Sequence, residues 1–242
     1  MRDLKVALHT VYYQMILSLR IKTAFLLSLA FPVFLYLFFG NIWGNTTNVE
    51  YFGFLLSGVI GLSITSDGIF SVGPVIKIYY ASKLLKFFRT LPMKAFAYYA
   101  GLFLNRILRI LVSVIFLCVT AAIAFKYYVG INEILRFLVG TFFGLTMFAL
   151  LGLVFAFLSR SHGGEQGTMN FVYFIIIFMT DTFYPITQIN EFFKTVSYFI
   201  PLTYVLDFMR TGNPINLLVI MGWIVVLAAI FYRMITRTSI KR

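Results

Sequence analysis

Few side chains in this chain could do chemistry, and they do not converge. The histidines are His9 and His162, far apart in sequence, and no H-E-x-x-H pair is present to hold a zinc ion. No G-x-S-x-G sequence sets a serine on a nucleophile elbow. Cys118 stands alone, which excludes a disulfide framework and a thiolate metal site. No G-x-x-x-x-G-K-[ST] loop exists, so the chain has no P-loop with which to hold ATP. Two carboxylates inside apolar stretches remain, Asp67 and Asp181. Ionisable residues at such depth are rare and face protein or water, which makes Asp181 a candidate for a substrate path. The plain alternative is a residue at a helix's outer end, hydrogen-bonded by Thr180 or Thr182. Asp67, between Ser66 and Gly68, reads as a cytoplasmic turn rather than a proton relay. Asp67-Gly68 also lacks the Ala-Arg and further aspartates of a membrane phosphatidyl-transferase. A catalytic, cofactor or metal site is therefore not expected.

The elements that hold these residues are set by composition. The chain is 61% hydrophobic and only 12% charged over 242 residues. A soluble domain of that length has no core large enough to hide so much apolar surface, whereas lipid solvates it. A hydrocarbon core of about 30 Å needs roughly 20 helical residues. Six segments approach that length: 23–40, 51–70, 107–125, 137–158, 168–184 and 215–232. The expected fold is an all-α membrane protein with six transmembrane helices in one domain, 1–242. The basic residues then sort by side. All but Lys126, Arg136, Lys194 and Arg210 of the 20 fall on one face of the membrane, which puts both termini in the cytoplasm. The net charge of +12 follows the flanks of apolar runs and forms no separate domain, so anionic lipid headgroups account for it better than nucleic acid does. About twenty polar or amphipathic residues precede the first apolar run, which argues against a cleaved signal peptide.

Three segments outside the spans carry patterns of their own. Within 1–22, Leu4, Leu8, Val11, Met15 and Leu19 share one helical face, as in a helix lying in the cytoplasmic interface. Within 76–96, Leu84, Phe88 and Leu91 repeat at helical spacing among Lys83, Lys86 and Arg89, and Pro92 ends the pattern. Apolar side chains on a cytoplasmic loop call for lipid or protein to cover them. Within 185–213, two short amphipathic helices meet at Pro201, each too short to span, as in an outer re-entrant hairpin between spans five and six. Gly163-Gly164 reads as a turn between spans. Gly53, Ser57, Gly61 and Thr65 recur four apart on the second span, and Gly140 and Gly144 on the fourth, which predicts close helix packing within one chain or across two.

The run from Asn170 to Arg210 resembles the C-terminal signature of the type-2 ABC exporter permeases. The matching residues are Phe183-Tyr184-Pro185, then Pro201-Leu202-Thr203, then Asp207 and Arg210. Phe88-Arg89-Thr90-Leu91-Pro92-Met93 is similar to that family's Leu-Arg-x-x-Pro-Met element, and Phe31-Pro32 fits its first span. The chain departs from the family at Thr180-Asp181-Thr182, where Ser-Gly is usual, and near Gln188 to Asn190, where a second proline is usual. The resemblance implies the membrane subunit of an ATP-driven exporter in a prokaryotic inner membrane. It would pair with a second permease copy or paralogue and dock on cytoplasmic ABC ATPase subunits that bind ATP and Mg. Lys83, Lys86, Phe87, Phe88, Arg89, Leu91 and Pro92 would form the coupling helix. Ser57, Asp181, Phe183, Tyr184 and Pro185 would line a substrate path or its gate, suited to an amphipathic, lipid-like, drug-like or glycan cargo. A non-transporting assembly or regulatory subunit is the alternative. An intramembrane enzyme acting on lipids ranks last, for want of a second catalytic group.

Overall fold

The computed structural model describes residues 2–44, 50–81, 95–158 and 162–240. These residues form ten α-helices: α1 (Arg2–Arg20), α2 (Lys22–Trp43), α3 (Glu50–Asp67), α4 (Gly73–Ala81), α5 (Ala95–Phe125), α6 (Ile131–Leu158), α7 (His162–Phe178), α8 (Glu191–Ser197), α9 (Pro201–Thr211) and α10 (Pro214–Ile240). A π-helical turn, Gly68–Val72, joins α3 to α4, and a 3₁₀ turn, Ile186–Gln188, precedes α8. No strand occurs among the described residues.

Among the described residues five helical stretches are long and apolar enough to cross a membrane: Phe25–Trp43, Glu50–Ile78, Ala97–Phe125, Ile131–Leu158 and Pro214–Met234. The expected fifth span falls short. Its helix stops at Phe178 rather than Tyr184, and among the described residues its apolar stretch is Gln166–Phe178. The cause is local. The Thr180 hydroxyl donates back to the Ile176 carbonyl at 2.8 Å and lies 2.9 Å from the Thr182 hydroxyl. Short polar side chains that bond nearby backbone in this way compete with helix continuation.

Two expected turns are helical instead. Asp67-Gly68 does not break the second span, because the chain runs on through the π turn into α4. The glycines there let the backbone press against α6: a β-carbon at Gly68 would meet the Phe148 side chain, and one at Gly73 would meet Gly152. Gly163-Gly164 lies in the first turn of α7, which starts at His162.

The core centres on α3, α6 and α9. Leu55, Leu56, Val59, Ile60 and Ile64 of α3 are buried with Leu145, Met147 and Phe148 of α6 and with Leu202, Val205, Leu206 and Met209 of α9. The glycine stripes make room for this. A β-carbon at Gly61 would lie 2.6 Å from Leu206, one at Gly140 would lie 2.7 Å from Met209, and one at Gly144 would lie 3.1 Å from Val205. Both stripes therefore receive α9 within the same chain, while Gly53 faces the Tyr127 side chain. The outer surfaces of α2, α5, α7 and α10 expose Phe34, Phe116, Phe174 and Val225, as lipid-facing helices do.

Helix α1 packs on α5 through Ala7 and Thr10, which meet Gly101. Asn105 secures the contact by donating to the Val11 carbonyl at 3.4 Å. Leu4, Leu8 and Leu19 of its apolar face stay exposed. The helix thus uses small residues against protein and leaves its leucines for another medium. The expected coupling residues, Lys83, Lys86, Phe87, Phe88, Arg89, Leu91 and Pro92, lie outside the described residues.

Candidate functional site

Where α7 ends, the chain turns through 179–185 and lies along the first half of α3. Thr180 and Thr182 are fully enclosed there. Gly58 makes the approach possible: a β-carbon at that position would collide with the Thr182 carbonyl. Tyr51, about two turns earlier on α3, donates its hydroxyl to the Phe183 carbonyl at 2.9 Å. The rings of the turn then stack outward. Phe183 packs on Phe39 with centroids 4.5 Å apart, and Tyr184 on Trp43 at 5.4 Å. The turn is thereby joined to both α2 and α3.

Asp181 does not sit within a span, because the helix has already ended. Its carboxylate accepts from the Thr187 backbone N–H at 2.9 Å and from the Thr187 hydroxyl, and so caps the 3₁₀ turn that follows Pro185. Its partner is neither Thr180 nor Thr182. The side chain also borders a cavity of about 370 Å³ with Lys194, Thr203 and Asp207. Asp181→Asn keeps an acceptor for the Thr187 N–H, so it is expected to destabilise the fold by at most about 1 kcal/mol. Asp181→Ala removes the cap, with a loss of about 0.5–2 kcal/mol expected. Thermal melting of both variants in detergent measures the difference, and an asparagine variant as unstable as the alanine one would show that the carboxylate charge, not the acceptor, holds the turn.

The residue that ties the assembly together is Arg210, near the end of α9. Its Nε donates to the Ser57 hydroxyl at 2.8 Å. Its Nη2 donates to the main-chain carbonyls of Phe54, at 3.3 Å, and of Asp181. The guanidinium carbon lies 3.7 Å from the centroid of the Phe54 ring, a cation–π contact. One planar fork therefore links α9, α3 and the turn, as a point-charge ammonium could not. Burial lowers the Arg210 pKa to about 10, opposed by Asp207 and Asp181, so the group remains charged at neutral pH. Burial raises the Asp207 carboxyl, with Arg210 opposing.

Arg136 of α6 completes the arrangement by donating Nη1 to the Arg210 carbonyl at 2.7 Å. It thus satisfies a carbonyl in the last turn of α9, where Gly212 turns the chain with φ 73°. Ser57 is engaged on both sides, since its hydroxyl also donates to the Phe54 carbonyl at 2.7 Å. The structure thus brings Ser57, Asp181, Phe183, Tyr184 and Pro185 into one region. Sequence reasoning placed Arg210 in the family signature but did not see the clamp. A signal was present: Arg136 and Arg210 are two of the four basic residues that break the charge asymmetry.

Among the described residues no cluster of three or more His, Cys, Asp or Glu side chains could hold a metal ion. The arrangement offers no nucleophile beside a base, and its polar groups bind one another. What it can do is hold or release a turn. The chain matches the ABC-2 type transporter family over residues 8–213. The protein belongs to this family. Like other ABC-2 members it is a membrane-embedded transport component, of a kind that works with ABC ATPase subunits. A search of curated proteins found no match to this ABC-2 transporter chain.

Proposed function

We propose that the chain is the permease of an ATP-driven exporter, moving an amphipathic, lipid-like, drug-like or glycan cargo out of the cytoplasm while a separate subunit hydrolyses ATP. The observation that carries this reading is the family match together with the latched outer turn. Helix α9 plugs the bundle between α3 and α6, and the turn at 179–185 closes over α3. Release of the Arg210 fork would free both at once and open an exit. The exposed face of α7, with Phe171, Phe174 and Phe178 one turn apart, supports pairing with a second permease. Basic residues in 76–96 and the termini support a cytoplasmic placement of the ATPase contact.

The test lies in the coupling segment. Phe88→Asp places a charge on an apolar contact, and it is expected to lower permease-stimulated ATP turnover at least tenfold, since a buried unpaired charge costs several kcal/mol. The chain should still fold and insert, as judged by size-exclusion elution. Unchanged copurification with the ATPase and unchanged stimulation would defeat the coupling role of this segment. Turnover that stays constant whatever compound is added would favour a regulatory subunit.

A further inference from the structure

A second cavity, of about 450 Å³, lies away from the turn and its clamp. It opens between α2, α3, α5 and α7, lined on its polar side by Ser63, Ser66, Asp67, Arg109, Ser113 and Tyr173. These residues sit toward the end of the bundle that carries Lys22, Lys77 and Arg106, which the charge asymmetry assigns to the cytoplasmic leaflet. Its volume falls in the range of small-molecule sites, about 300–1,000 Å³.

Three observations indicate that Asp67, Arg109 and Ser113 keep bonding capacity that no described protein group takes up. Asp67 and Arg109 share the cavity but form no ion pair, and Arg109 has no hydrogen-bond partner among the described residues. Asp67 accepts from Ser71 through Oδ1 at 3.1 Å, which leaves Oδ2 unclaimed. Ser113 is only 6% exposed, and its hydroxyl is buried without a hydrogen bond. An unsatisfied buried hydroxyl is costly and rare, which makes it a sign of a missing ligand. The backbone adds a fourth point. Pro32 of α2 has no N–H, so the Ser28 carbonyl at the cavity wall loses its helical donor. Asp67 also directly precedes the π turn, a distortion often found at functional sites.

The apolar side of the cavity continues to the outside of the protein. Leu27 and Phe31 of α2 line it and are more than half exposed. A molecule seated there can hold its head against Asp67 and Arg109 while its tail runs into lipid along α2. A head that satisfies both groups carries a cation and an anion. Arginine pairs well with phosphate oxygens, and a carboxylate with an ammonium that can donate. We propose that this cavity binds a phospholipid whose headgroup joins a phosphate to a primary ammonium, with Arg109 and Ser113 on the phosphate and Asp67 on the ammonium. This site does not depend on the exporter reading, because binding needs no ATPase.

The test uses the full chain, purified and stripped of lipid. Dioleoyl-phosphatidylethanolamine, -phosphatidylcholine and -phosphatidylglycerol are titrated separately, and bound lipid is counted by native mass spectrometry. The ethanolamine lipid should bind best. Arg109→Gln and Asp67→Asn should each weaken it about tenfold, the usual consequence of losing one charge-assisted hydrogen bond. Ser113→Ala, which leaves packing intact, should weaken it a few-fold, and this variant guards against misfolding of the other two. Equal binding of all three lipids, or binding indifferent to all three substitutions, would overturn the site. With an ethanolamine lipid labelled on its acyl chain, in vesicles containing the permease and the ATPase, ATP-driven movement identifies cargo. Retention without movement identifies a resident lipid, and either result occupies the site as proposed.

Discussion

Arg210→Leu is expected to be the most damaging single substitution outside the buried apolar core. It removes the donor to Ser57 and both donors to the Phe54 and Asp181 carbonyls, and it ends the contact with the Phe54 ring. Hydrogen bonds to a charged group are worth about 1.5–3 kcal/mol, and stranding their partners adds desolvation cost. A loss of about 3–5 kcal/mol is expected, in line with breaking a buried charged network. Arg210→Lys keeps the charge but cannot span three acceptors, so it should recover less than half of that loss. Fluorescence-detected thermal unfolding in detergent reads the stability. ATP turnover with the partner ATPase reads the function, and it should lose its dependence on cargo. A leucine variant as stable as the parent would mean that the fork is incidental.

The second large effect is expected at Gly58. Even Gly58→Ala puts a methyl group onto the Thr182 carbonyl, a backbone atom that can move only if the whole turn moves. Overpacking of this kind costs about 1–3 kcal/mol, and more where backbone must shift. Gly222 provides the comparison. It lies in the middle of α10 with nothing within 4 Å of a β-carbon. Gly222→Ala should stabilise the chain by about 0.5–1 kcal/mol, because alanine suits a helix better than glycine does. The same chemical change is thus expected to act with opposite sign at two helical glycines. Melting curves recorded side by side check this, and equal shifts would show that the turn does not rest on α3.

Much of the helical architecture was legible because lipid imposes a strict length and polarity rule. The first four spans and the last follow from apolar runs alone, since each must be long and nearly free of charge. The fifth could not be read in that way. Its apolar residues continue past Phe178, but Thr180 and Asp181 divert the backbone through side-chain hydrogen bonds. Hydropathy does not register such bonds. The π turn was hidden for a similar reason: Gly68 and Gly73 look like breaks, yet they allow contact with α6.

The two amphipathic pieces of 185–213 were visible in their spacing, and so was the restart at Pro201. That the second piece would fill the glycine stripes of α3 and α6 was not visible, because small residues show that something approaches but not what. The candidate site residues were read from a family resemblance, whereas their connection in the structure depends on one arginine. Arg136 and Arg210 stood out only as exceptions to the charge rule. A cation on the side that the charge rule reads as translocated is permitted where protein groups receive it, and here carbonyls and a hydroxyl do so.

The most direct test of the account is hydrogen exchange at the outer turn through the ATP cycle. Three amide donors report on it: Thr182 to the Thr180 carbonyl at 2.7 Å, Ile186 to the Tyr184 carbonyl at 2.8 Å, and Thr187 to the Asp181 carboxylate. The assembled permease and ATPase, in nanodiscs, would be compared without nucleotide and after trapping with ATP and vanadate. A latched gate predicts slow exchange across 180–187 at rest and at least tenfold faster exchange when trapped, equivalent to about 1.4 kcal/mol of lost protection. Exchange that stays slow in both states, in a complex shown to transport, would contradict it.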